Sequence, residues 1–305
     1  MTVRQNSLDL LLAEHRFLRL THSSDVLSDA SGAGIPLLQV VTDHCVALIA
    51  LQGAQLLSFQ ALNQAPLLWL SPACDFTPGK PLRGGIPVCL PWFGPHPTDD
   101  GQPKHGFART RDWALETAAM SDDGSVTLVF ALDSPGHPGF EHPFRARLTM
   151  VLNQRIKLDL TIHNIGEKPF ETTWALHSYH PVQDLKAARV LGLKGRDYLD
   201  NLAQLARKTL TEDLAFNGEV DRAFPGVDEP LMVETGEHRI HIEHANCPSV
   251  ITWNPGPENA AGMADVGAGN EQGFVCVERG AVHDDAWTLA PGETRQAQLE
   301  IWGES

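Results

Sequence analysis

The chain has 305 residues, 42% hydrophobic and 20% charged, which is ordinary for a globular protein and enough length to bury a large core. Lys and Arg number 23 against 38 Asp and Glu, and the net charge of −15 excludes a general attraction to nucleic acid or to an anionic membrane surface. Any anionic ligand must therefore be held by a local cationic cluster.

In chain order, LDLLLAEHRFLRL (8 to 20) spaces its apolar residues as a short amphipathic helix would, and the following SSDVLSDASGAG reads as a loop. Glu14, His15 and Arg16 interrupt the apolar run before a signal-peptide core forms, and no run reaches membrane-spanning length. From IPLLQVV onward, strand patterns dominate: CVALIALQGAQLLSF, VTLVFAL, FETTWALHSY, HRIHIEH, SVITW, GFVCVE and RQAQLEIW, separated by Gly, Pro, Asn and Asp.

The clearest of these is FRARLTMVLNQRIKLDLTIHNIG (144 to 166). Leu148, Met150 and Leu152 alternate with polar residues, Asn153-Gln154 supplies a turn, and Ile156, Leu158, Leu160 and Ile162 alternate again. This pattern predicts an antiparallel hairpin with one buried face. The helices that a parallel sheet requires between its strands are missing, and no composition break marks a linker. The expectation is one all-β domain over 1–305, a large antiparallel sandwich, with 1–34 as an N-terminal extension that carries the helix.

Several segments carry chemistry. PLRGGIPVCLPWFGPHP (81 to 97) fixes a Pro- and Gly-rich backbone around Arg83, too broken for a helix and too proline-rich for mid-sheet. KHGFARTRDW (104 to 113) adds His105, Arg109 and Arg111, and guanidinium forks set among turn residues suit a phosphate or, equally, the chain's own carboxylates. In ETTWALHSYHP, His177 shares a strand face with Ala175 and Tyr179. In GFVCVERG, Glu278 shares one with Phe274 and Cys276, where a lone carboxylate is costly unless paired or functional. A surface ion pair between Glu278 and the adjoining Arg279 is the structural alternative.

HRIHIEH (238 to 244) does not make a metal site, since His238, His241 and His244 lie three apart on a strand and no Cys or Asp completes a tetrahedral set. Neither GVDEP nor ENAAGMADVG has calcium-loop spacing, and phosphate-loop, dinucleotide and nucleophile-elbow motifs are absent. The five cysteines (Cys45, Cys74, Cys89, Cys247, Cys276) are odd in number and never in a C-x-x-C spacing, which reads as free thiols in a reducing, cytoplasmic compartment.

Taken in order, RGGIPVCLPWFG, HGFAR, ALHSYHP, GLKGRDYLD, GEVDRAF, TWNPG and VCVERG resemble the aldose 1-epimerase (mutarotase) superfamily, and its hexose-6-phosphate 1-epimerase branch in particular. The resemblance runs from about residue 35 to the C-terminus and departs from the common pattern at HSYHP and at ENAAGMADVGAGNEQG. It implies a galactose-mutarotase-like β-supersandwich, no metal and no cofactor, and a small sugar phosphate as partner, the chain acting as a monomer. It also implies His177 as general acid and Glu278 as general base, with Arg83, His105 and Arg109 lining the site and Asp221 holding a sugar hydroxyl. Acid/base opening of the ring then interconverts the α and β anomers of a hexose 6-phosphate such as glucose 6-phosphate. The alternatives are a mutarotase of a free aldose such as galactose, a sugar-phosphate sensor without catalysis on the same scaffold, and an accessory carbohydrate-binding sandwich.

Overall fold

The structure is a computed structural model that describes residues 3–27 and 32–304. Antiparallel pairing accounts for every ladder between its strands. The predicted hairpin forms strands Phe144–Leu152 and Ile156–Asn164, registered with Leu148 opposite Leu160 and Leu152 opposite Ile156. Their apolar residues alternate inward, as a period of two requires, and Leu148, Met150, Leu158 and Leu160 are at most 1% exposed. Full burial of each contributes about 1.5–3 kcal/mol, which pins the register, because a slip by one residue would turn the whole set to solvent.

That hairpin lies within a nine-stranded sheet running from Leu214–Ala215 at one edge to Ala114–Met120 at the other. An eight-stranded sheet contains Val220–Phe224, Ser249–Asn254, Phe274–Ala281, Trp174–Leu176 and Val88–Cys89 in that spatial order, with Tyr179–Pro181 also paired to Phe274–Ala281. A four-stranded sheet of Leu18–His22, Pro36–Val41, Cys45–Ala50 and Gln55–Ala61 completes the main architecture. One apolar core joins all three: Leu148 and Ile162 meet Trp174, Leu176, Val250 and Val277, and Ile49 and Leu56 close it.

Parity then decides what the other face of the eight-stranded sheet can carry. Trp174, Leu176, Val250, Val275 and Val277 point into the core. Their neighbours Ala175, His177, Tyr179, Ile251, Trp253, Cys276 and Glu278 therefore share the opposite face.

The N-terminal segment differs from expectation. The helix spans Val3–Glu14, packing Leu8, Leu11 and Leu12 against the core, and stops well short of residue 20. Residues Leu18–His22 instead form a strand along Pro36–Val41, with Leu18 opposite Val40 and His22 opposite Pro36. Without it, Pro36–Val41 would present an open edge, and satisfying that row of backbone groups outweighs a helical spacing of only a few residues. The expected loop after it contains one helical turn, Ser23–Val26, while residues 28–31 lie outside the described part. No helix is long and apolar enough to cross a membrane among the described residues.

Candidate active site

Two cross-strand rows build the site. In one, Asp221, Trp253, Cys276 and Tyr179 lie opposite one another across four strands. In the next, Ala223, Ile251 and Glu278 line up, and the register on either side of the break at His177 sets that residue facing Glu278. The break itself is held by backbone: the His177 amide donates to the Pro87 carbonyl at 2.9 Å, and Ser178 Oγ donates to Val277 O at 2.6 Å. His177 Nε2 and Glu278 Oε1 come within 3.4 Å, and the two residues are only 6% and 0% exposed.

Neither carboxyl oxygen of Glu278 nor Nδ1 of His177 has a hydrogen-bond partner among the described residues. Buried polar atoms left unpaired cost about 1–3 kcal/mol each, and three of them lie together here, open to hydrogen bonds from a bound partner. Burial drives the Glu278 carboxyl well above the ordinary range, reinforced by the charge of Asp221 and opposed by Arg109. Burial likewise drives the His177 imidazole well below its ordinary value, helped by His105, Arg83 and Arg109. Both shifts favour the uncharged forms of the two groups. An imidazolium at His177, as the general-acid reading assumes, is disfavoured there because it would sit dry beside two guanidinium groups.

The Pro/Gly segment explains how Arg83 is aimed. Gly85 has φ +62°, and a Cβ there would lie 2.1 Å from the Leu56 carbonyl oxygen, so the chain passes where no side chain fits. Arg83 is fully engaged by protein: Nε and Nη2 bond Asp265 Oδ2 at 2.9 and 2.8 Å, Nη1 donates to the Tyr179 hydroxyl at 3.0 Å, and the guanidinium lies 5.7 Å from the Trp253 ring. Arg109 is committed far less, donating through Nη2 to the Lys104 carbonyl at 2.7 Å while its buried Nε has no partner among the described residues.

His105 sits at φ +66°, 5.8 Å from the His177 ring between centroids. The Gly94 amide donates to its Nδ1 at 3.2 Å, which fixes the tautomer with the proton on Nε2. Desolvation by the protein packed around it, together with Arg109, Arg83 and Lys104, pushes its pKa down to about 3, which keeps the ring neutral. Asp221 accepts from Asn201 Nδ2 at 2.5 Å, and its carboxyl is raised by burial, partly offset by that hydrogen bond.

All six predicted site residues therefore gather on or around one sheet face: His177 and Glu278 at its centre, Asp221 in the adjoining row, Arg83 beside Tyr179 and Trp253, and His105 near His177 with Arg109 following it on the same loop. The alternative reading of Glu278, an ion pair with Arg279, does not form. Arg279 is fully buried on the opposite side of its strand, where Nη1 and Nη2 donate to the carbonyls of Val227 and Glu229, both at 2.6 Å. In the HRIHIEH strand, His241 pairs with Glu304 at 2.9 Å and stacks on Trp302, apart from His244. Sequence reasoning missed Tyr179, Trp253 and Cys276 as site walls, although their strand parity with His177 and Glu278 marks them. It also missed Asp265, for which no local pattern exists.

A family model for aldose 1-epimerase matches residues 36–302. The chain belongs to the aldose 1-epimerase family. This family member is 37% identical over 246 residues, 78% of its length and 81% of the other's, to a Salmonella typhimurium protein named "Putative glucose-6-phosphate 1-epimerase". A protein of the same name from Cenchrus ciliaris is 33% identical over 271 residues, covering 85% of this chain and 81% of that one. Among solved structures, the "putative mutarotase (YeaD)" of Salmonella typhimurium superposes with a TM-score of 0.81 at 30% identity, over 89% of this chain and 91% of that one. A galactose mutarotase-like protein of Clostridium acetobutylicum shares the fold at 14% identity with a TM-score of 0.67, over 95% and 100% of the two chains. The all-β, galactose-mutarotase-like architecture expected of this aldose 1-epimerase family member is what it has.

Proposed function

We propose that this protein interconverts the α and β anomers of a hexose 6-phosphate, D-glucose 6-phosphate first among them, by acid/base opening and reclosure of the ring. The observation that carries the reading is the buried His177–Glu278 pair, 3.4 Å apart, beside an arginine whose buried Nε has no partner among the described residues. One member of the pair takes the proton of the C1 hydroxyl while the other delivers a proton to O5. The C1–O5 bond then breaks, giving the open aldehyde. Rotation about C1–C2 presents the other carbonyl face, O5 adds back, and the two protons return along the same paths. The exchange consumes no oxidant and forms no bond to the protein.

The charges bear on the phosphate. Arg83 and Arg109 both oppose a proton on His177, and Arg109 also holds the Glu278 carboxyl down, so an anionic group that neutralises Arg109 would raise the proton affinity of both members of the pair. Phosphate binding would then favour the protonated form of whichever member serves as the acid. Asp221 and His105 supply an acceptor and an Nε2 donor for ring hydroxyls. Four free cysteines, Cys45, Cys89, Cys247 and Cys276, all buried, accord with a reducing cytoplasmic setting.

A free aldose is the second reading, favoured by the engagement of Arg83 with Asp265, which leaves the phosphate role chiefly to Arg109. The deciding experiment follows anomer equilibration from freshly dissolved pure anomers of glucose 6-phosphate, glucose and galactose. Glucose 6-phosphate should have the highest kcat/KM, and a rate for free glucose or galactose above it would move the assignment to the second reading.

A further inference from the structure

The acid/base pair has a third neighbour that ring opening does not use. Cys276 stands two residues before Glu278 on the same strand face, fully buried, and its Sγ, a Glu278 oxygen and a His177 ring nitrogen all lie within 4.8 Å of one another. A nitrogen, a sulfur and an oxygen donor converge on one point, and neither Glu278 oxygen has a hydrogen-bond partner among the described residues. We infer that His177, Cys276 and Glu278 form a binding site for a thiophilic divalent cation of the zinc class, and that its occupation shuts off the acid/base pair.

The geometry is close to what such an ion needs. Ligand distances of about 2.0–2.3 Å in a tetrahedral shell set the donors roughly 3.3–3.6 Å apart, and His177 Nε2 to Glu278 Oε1 is already 3.4 Å. All three donors lie within 4.8 Å of one another, so closing them to that spacing takes shifts of about 1 Å, within reach of small side-chain rotations. Charge closes as well. The ion displaces the thiol and carboxyl protons to solvent, and one thiolate, one carboxylate and one neutral imidazole then balance its two positive charges. The buried centre is neutral, so Arg83 and Arg109 meet no net cation. Three protein ligands leave the fourth position open for water or a sugar hydroxyl. A hard cation such as magnesium gains nothing from the sulfur and should not compete.

The binding half of this inference stands alone, while the inhibitory half rests on the function proposed above, so the two are read separately. Cobalt(II) added to the purified full chain reports binding directly, because a thiolate ligand gives a charge-transfer band in the near ultraviolet. The band should appear in the wild type and in Cys89→Ala, and be lost in Cys276→Ala and Cys276→Ser. Zinc at ten times its binding constant should then lower anomerisation about tenfold in the wild type, with inhibition lost in both Cys276 variants relative to their own metal-free rates. A missing band in the wild type, or a band retained in the folded Cys276 variants, overturns the site. A band without inhibition, or activation by zinc, overturns the switch while leaving the site.

Discussion

Arg109→Ala is the substitution that separates phosphate recognition from ring recognition. Its side chain is the less committed of the two arginines, spending one Nη2 donor on the Lys104 carbonyl and leaving Nε unpaired, whereas Arg83 has all three nitrogens bonded to Asp265 and Tyr179. A charge-assisted contact from Arg109 to the phosphate contributes about 1.5–3 kcal/mol, or roughly 10- to 150-fold in kcat/KM. Glucose should lose under about threefold in the same variant, since the contact does not exist for it. Arg83→Ala should instead weaken both sugars by similar factors, because its loss frees Asp265 and Tyr179 in the wall of the site. The assay is the initial rate of anomer equilibration, followed by polarimetry or by exchange between the anomeric proton resonances. Equal losses for both sugars in Arg109→Ala, or a phosphate-selective loss in Arg83→Ala, would refute the division of labour drawn from these hydrogen bonds.

Other consequences can be measured alongside. Gly106 has φ +67° and a Cβ there would lie 2.0 Å from the Leu90 carbonyl oxygen, so Gly106→Ala should cost at least about 2 kcal/mol and lower Tm by at least about 3 °C in a thermal scan. His180, fully buried, is held neutral by burial with its pKa pushed down to about 4. The unfolded chain takes up that proton near pH 6.5 and the folded chain does not, so stability falls as pH drops from about 6.5 to 4. Between pH 7 and 5 this one group costs about 2 kcal/mol, and denaturant titrations of His180→Gln should show that much less acid sensitivity. Protein stripped with a chelator should keep its full anomerisation rate, since proton transfers alone carry the reaction.

Much of the site was legible because it is written in strand parity. A period of two separates the core residues Trp174, Leu176 and Val277 from His177 and Glu278, and titratable groups on an otherwise apolar strand stand out. The same parity shows why Arg279 could not be the partner of Glu278: neighbours on a strand face opposite ways. Asp265 was not legible, since it reaches Arg83 from 182 positions away through a segment of turns that no periodicity marks. The lowered proton affinity of His177 was not legible either, because it is set by burial and by the joint field of His105, Arg83 and Arg109, which come from distant parts of the chain. The strand at Leu18–His22 was hidden for a similar reason, its conformation being dictated by the edge it covers.

The central claim is that His177 and Glu278 act as one proton-exchanging unit. The most direct test compares His177→Ala, Glu278→Gln and the double variant for anomerisation of glucose 6-phosphate, with circular dichroism to establish that each is folded. Each single variant should lose about two to four orders of magnitude in kcat, and the double variant should be little worse than either, because a pair that works as a unit is lost once. Near wild-type rates in either folded single variant, or losses that multiply in the double, would contradict the account.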